Sequence, residues 1–179
     1  LLGWGGVSVH CQTAAVLEGA ACPVVLDADG LNAVSGHIDR LDARAGTGRL
    51  TVLTPHDGEF ARLTGAMPGA DRLRTARDFA GAHGCILVLK GHRTITAFPD
   101  GRAFVNTTGN PGMAKGGSGD VLAGVILSLL GQGLAPEQAV PAAVLYHGLA
   151  GDLAAEERGE YGMTPMDLVE KLPAALRHF

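Results

Sequence analysis

Three short apolar runs constrain this chain more than anything else in it: Val24–Leu26, residues 50–53, and the run inside "CILVLKG" at 85–91. Each is too short for a helix, continuous rather than alternating, and closed by turn residues. Asp27, Asp29 and Gly30 follow the first, Thr54 and Pro55 the second, Lys90 and Gly91 the third. Continuous runs of this length suit strands covered on both faces, as in a parallel sheet. Helical patterns separate them. Asp57 and Glu59 open one helix, where carboxylates favour the positive end of the dipole. "DRLRTARDFAGAHG" predicts an amphipathic helix with Leu73, Ala76, Phe79 and Ala80 inward and Gly84 as its stop. "TITAFPDGRAFVNT" alternates on either side of Asp100-Gly101 and predicts an antiparallel hairpin.

Beyond the hairpin, 120–130 predicts a strongly apolar helix and Pro136 opens a long one. Thr164 is the expected cap of a last helix, with Pro165 in its first position and Asp167 in its first turn. The class is therefore α/β, with a mainly parallel central sheet flanked by helices and a small antiparallel hairpin. No segment looks like a linker, so residues 1–179 are expected to form a single domain.

Composition removes several functions. Aromatics are 4% of the chain, which leaves no stacking surface for single-stranded nucleic acid. The net charge is −4 with no Lys/Arg cluster, against a nucleic-acid backbone footprint. Apolar runs are too short to span a bilayer. Cys11, Cys22 and Cys85 form no CxxC pair, so reduced thiols are expected and a zinc site is not.

The chemistry concentrates in loops. In "GGSGD", Gly116, Gly117 and Gly119 let backbone approach a ligand, and Ser118 sits among them. A loop that enters a helix presents free N–H groups and the helix dipole, which together make an anion hole. Asp120 beside it either accepts a proton from an attacking hydroxyl or merely caps the helix. The spacing fits neither a Walker A loop nor the G-x-G-x-x-G fingerprint. Lys90 stands at a strand's carboxyl end, where ligands of open parallel sheets gather. It would bind a nucleotide phosphate or stay in solvent. His56, at another strand end, is a substrate contact or a loop histidine; no second cluster completes a metal site with Glu59. Turn chemistry accounts for Asp27, Asp29 and Asn32.

"VVLDADGLNAV", "TPHDGEFARL", "VLKGHRT", "NTTGNPGMAKGGSGDVLAGVILSLLGQG", "AVLYHGLAGDLAA" and "TPMDLVEKLPAALR" follow one another in this order. Together they resemble the carboxy-terminal domain of the ADP/ATP-dependent NAD(P)H-hydrate dehydratases, within the ribokinase-like superfamily. The resemblance implies a cytoplasmic repair lyase. It would restore NADH and NADPH from the S epimers of their hydrates by phosphorylating the hydroxyl and losing phosphate. ADP would give AMP, or ATP would give ADP, with Mg2+. It also implies roles: Asp120 activates the hydroxyl and contacts the hydrate, and His56 and Gly6 bind the hydrate. Lys90, Gly91, His92, Arg93, Thr94 and Gly119 bind the nucleotide. Lys115 departs from the small or hydroxyl residue usual in that family, and would add a phosphate contact or face solvent. The family's domain has more elements upstream, so the amino-terminal ones are expected to be missing. Self-association into a homo-oligomer is expected, and an epimerase domain, fused or separate, would accompany the activity. The alternatives are another ribokinase-like kinase and a non-catalytic nucleotide-binding fragment.

Overall fold

The computed structural model describes residues 8–178, so Gly6 lies outside the described residues. The chain divides into two compact units. One runs to Lys90 and includes Ala97–Ala103; the other comprises Gly91–Thr96 and the chain from Phe104 onward. Five strands form one sheet in chain order: β1 (Val24–Leu26), β2 (Thr51–Leu53), β3 (Ile86–Leu89), β4 (Ile95–Ala97) and β5 (Ala103–Val105). β1 runs parallel to β2, pairing Val25 with Val52, and β2 parallel to β3, pairing Leu53 with Leu87. Val52, Leu53, Leu87, Val88 and Leu89 are fully buried, as continuous apolar runs require. The predicted hairpin is present, with the Phe98 amide donating to the Arg102 carbonyl across Asp100-Gly101.

In the first unit the helices are α1 (Val9–Gly19), α2 (Asp29–Val34), α3 (Asp39–Gly46), α4 (Asp57–Thr64) and α5 (Arg72–His83). Gly84 ends α5 in the left-handed region, as predicted. Ala76, Phe79 and Ala80 are buried, and Phe79 meets Phe60 edge to face at 5.4 Å. Leu73, expected inward, is instead 37% exposed. It lies in the first turn of α5, before the buried positions Ala76, Phe79 and Ala80. Arg44 is buried and donates to four carbonyls: Leu17 at 2.9 Å, Ala20 at 2.7 Å, Cys22 at 2.6 Å and Leu50 at 3.3 Å. It thereby ties the end of α1 to the segments that lead into β1 and β2. Burial pushes the Cys85 thiol up to about 12, which leaves it protonated and unreactive at neutral pH.

The second unit holds α6 (Ser118–Gly131), α7 (Pro136–Gly162) and α8 (Pro165–Ala175). α7 is broken at Gly159, which has φ 72°. Ala154, Met163 and Leu168 form a core against which Met113, Val121 and Ala155 pack. At Gly148 an added Cβ would stand 2.1 Å from the Thr108 hydroxyl, and at Gly151 2.2 Å from the Met113 sulfur. These two glycines let the loop before α6 lie directly on α7. The predicted cap of α8 forms: the Thr164 amide and hydroxyl both donate to Asp167. Among the described residues no helix is long and apolar enough to cross a membrane.

Candidate active site

The carboxyl ends of β1, β2 and β3 gather polar groups, as open parallel sheets do. His56 is the cap of α4. Its Nδ1 accepts the Gly58 and Glu59 amides at 3.0 and 3.3 Å, while Glu59 Oε2 accepts the His56 amide at 2.8 Å. A nitrogen that accepts two N–H groups carries no proton, so the neutral ring holds its hydrogen on Nε2. That edge is free to donate: the side chain is 56% exposed, with Glu59 Oε1 3.6 Å away. His56 is therefore both a structural cap and a fixed hydrogen-bond donor.

Lys90 is neither solvated nor idle. Its Nζ donates to Asp27 at 2.8 Å and lies 3.7 Å from Glu59 Oε2, and all three side chains are largely buried. One cation facing two carboxylates leaves the cluster net negative, so Lys90 holds the strand ends together rather than offering an unopposed charge. Arg72 adds to this frame, donating to Asp57 and to the Lys90 carbonyl. Asp27, in a group that capping and turn chemistry was expected mostly to explain, is thus an ion-pair partner. Its signal is a contact across 63 residues, which no local spacing reveals.

The remaining sequence-predicted residues lie in the other unit. Gly91, His92 and Arg93 form an exposed turn, with Arg93 at φ 58°, and Thr94 donates its hydroxyl to the Gly91 carbonyl. A non-glycine residue in the left-handed region costs about 1 kcal/mol. Farther on, the glycine loop ends at Gly117, the cap of α6, with φ 97°. No side chain caps this helix. The Ser118 amide donates to the Lys115 carbonyl at 3.3 Å, and the Gly119 and Asp120 amides that follow face whatever lies before them, with the dipole behind. Asp120 sits in that first turn, exposed. The Ser118 hydroxyl is buried with no hydrogen-bond partner among the described residues. Buried hydroxyls without partners are uncommon and mark places that a ligand can complete. His147 Nε2 donates to the Ser118 carbonyl at 2.9 Å, so this histidine braces the helix start from α7.

Lys115 takes neither role expected of it. Its ammonium donates to the carbonyls of Glu160, Tyr161 and Met163, at the end of α7. A cation there satisfies open carbonyls and complements the dipole. Lys115→Met is expected to lower unfolding stability by about 1 kcal/mol in urea titrations; an unchanged midpoint would mean the ammonium faces solvent. Asp152, which no sequence signal singled out, accepts from the Gly109 amide and the Asn110 side chain. The one hint was a lone acid within residues 148–155, a stretch of α7 that is otherwise small and apolar.

Residues 8–174 match the NAD(P)H-hydrate dehydratase family. The chain belongs to that family. A bifunctional NAD(P)H-hydrate repair enzyme of Thermofilum pendens is 50% identical over 158 residues, which cover 87% of this chain and 30% of that protein. The ADP-dependent (S)-NAD(P)H-hydrate dehydratase of Neisseria meningitidis serogroup B is 42% identical, over 88% of this chain and 54% of its own length. The ADP/ATP-dependent NAD(P)H-hydrate dehydratase of Bacillus subtilis, co-crystallised with ATP/Mg2+, superposes with a TM-score of 0.81 at 36% identity. That superposition covers 95% of this chain and 59% of the other. The chain thus spans about a third to a little over half the length of the family members it matches. A ribokinase-like superfamily protein of Enterococcus faecalis, with a TM-score of 0.66 at 28% identity, agrees with the expected ribokinase-like fold.

Proposed function

We propose that this chain, as one ribokinase-like domain, carries the nucleotide-dependent dehydration of S-epimer NADH and NADPH hydrates. The observation that carries the reading is the start of α6: an uncapped helix mouth with the exposed Asp120 carboxylate in its first turn. The family match supplies the reaction class. The substrate hydroxyl oxygen attacks the terminal phosphorus of ADP or ATP while Asp120 takes the hydroxyl proton. AMP or ADP leaves. The C–O bond of the new phosphate ester then breaks, a neighbouring carbon loses its proton, and the electrons restore the ring double bond.

Phosphoryl transfer asks mainly for positioning and charge stabilisation, and the amides of Gly116, Gly117 and Gly119 supply donors for it. Among the described residues no group of three His, Cys, Asp or Glu side chains is placed to hold a metal. Magnesium would arrive on the nucleotide's phosphates, whose charge it neutralises. Gly91, His92, Arg93 and Thr94 are assigned to the nucleotide. Lys90 serves that segment by fixing the strand end from which it departs. The cytoplasm, a homo-oligomer and an accompanying epimerase belong to the same proposal; relatives named as bifunctional repair enzymes favour the last.

The test is recovery of reduced-nicotinamide absorbance from prepared NADH hydrate with magnesium and ADP or ATP. Nucleotide-dependent recovery is expected. A folded protein that binds nucleotide yet restores nothing would point to a different kinase substrate. His56 makes a second measurement. His56→Asn keeps a short acceptor for the α4 amides but loses the Nε2 donor. It is expected to raise the hydrate KM with little change in stability. His56→Ala should add a stability loss of about 1 kcal/mol.

A further inference from the structure

Asp152 commits both carboxylate oxygens to one short stretch of the glycine loop. Oδ2 accepts the Gly109 amide at 2.8 Å, and Oδ1 accepts Asn110 Nδ2 at 3.0 Å. Asn110 then passes the constraint on, because its Oδ1 accepts the Gly112 amide at 3.0 Å and caps the 3-10 turn Pro111–Met113. Gly109 itself has φ 98°, a conformation that needs holding. There is no slack around this path. A Cβ at Gly112 would stand 2.6 Å from the Glu160 carbonyl oxygen.

We infer that Asp152 is a positioning residue: through Gly109 and Asn110 it sets the course on which the loop reaches α6, and so the geometry of the helix mouth. The inference rests on the reading of that mouth as the phosphoryl site. The donor–acceptor arithmetic explains why a carboxylate is needed. Two N–H donors reach residue 152 on different oxygens, and a carboxylate satisfies both where they stand. An amide at 152 must turn its own N–H toward one of them. If Asn110 flips to accommodate it, the Gly112 amide loses its acceptor instead. Exchanging the two side chains, D152N with N110D, rebuilds every hydrogen bond with the charge moved to position 110.

The experiment compares full-length wild type, D152N, N110D and the double variant. It reads amide hydrogen exchange across 106–120, ADP affinity by calorimetry, and urea unfolding. D152N is expected to speed exchange locally in 106–120 and to weaken ADP by roughly tenfold or more. The double variant should recover both, and it should also repair N110D, in which two carboxylates face each other. If D152N does not fold, the double variant against N110D carries the same comparison. Unchanged exchange and affinity, a uniform loss of protection over the whole chain, or a double variant as impaired as the single ones would each overturn the inference. A wild type that binds neither ADP nor ATP would sink the functional reading instead. The exchange pattern would then decide alone: local loosening repaired by the swap supports a positioning role, and its absence refutes it.

Discussion

Asp120→Asn is expected to cut nucleotide-dependent recovery of NADH by roughly 10²–10⁴-fold, the usual worth of a positioned general base. Nucleotide binding should survive. The substitution keeps the size of the side chain and removes only its ability to take a proton. Asp120 is exposed in the first turn of α6, so packing is not disturbed. The lost carboxylate–dipole interaction costs about 0.3–1 kcal/mol, far less than the expected change in barrier. Taking a negative charge away from an anion site can only ease phosphate approach. Rates measured under single-turnover conditions, beside ADP and ATP affinities, separate the outcomes. A kcat that collapses with affinity intact assigns the base. Lost affinity with unaltered chemistry in the residual complex would make Asp120 a helix-start determinant and nothing more.

Gly148→Ala should destabilise the protein although it places a better helix former inside α7. Propensity alone predicts a gain of about 0.8–1 kcal/mol. Against it stands the Thr108 wall: the new methyl carbon would lie 2.1 Å from the hydroxyl and 2.8 Å from the backbone carbon of that residue. A hydroxyl can rotate; a backbone carbon held in place cannot. Thr108 is so held, sharing hydrogen bonds with Asn106 and the Leu145 carbonyl. Overpacking typically costs 1–3 kcal/mol, and displacing Thr108 also removes hydrogen bonds, so the net sign is loss. Gly124→Ala in α6 is the control, because a Cβ there meets nothing within 4 Å. It should stabilise by about 0.5–1 kcal/mol. Thermal melts of both variants check the pair. Stabilisation by both would show that the loop does not lie on α7 as described.

What could be read from the sequence follows from the range of each signal. The strand ends, the α4 start, the Gly84 stop, the Asp100-Gly101 hairpin and the Thr164 cap each depend on residues within a few positions of one another. Local chemistry wrote them and local reading recovers them. Leu73 failed because periodicity gives a helix's inward direction but not where its neighbours stop. Asp120 and the glycines around it were legible because a helix mouth is a local object. The supports were not. Lys90 reaches Asp27 across 63 residues, Asp152 reaches Gly109 across 43, and Lys115 reaches the α7 carbonyls across 45 to 48. Most of these partners are backbone atoms, which every residue carries, so no residue type marks them in advance.

The Arg44 cluster has a consequence for acid behaviour. Its acceptors are carbonyl oxygens, which do not titrate, and arginine keeps its charge even though burial, then Arg49, draw its pKa below the ordinary value. The α8 cap is different. The hydroxyl and then the amide of Thr164 hold Asp167 below the usual carboxylate range. That stability is present above an ordinary aspartate pKa of about 3.9 and fades as pH falls through the lowered value. Acidification thus unlocks the carboxylate-closed start of α8 while the guanidinium-closed end of α1 stays shut. The chain carries two kinds of clasp, and only one of them senses protons.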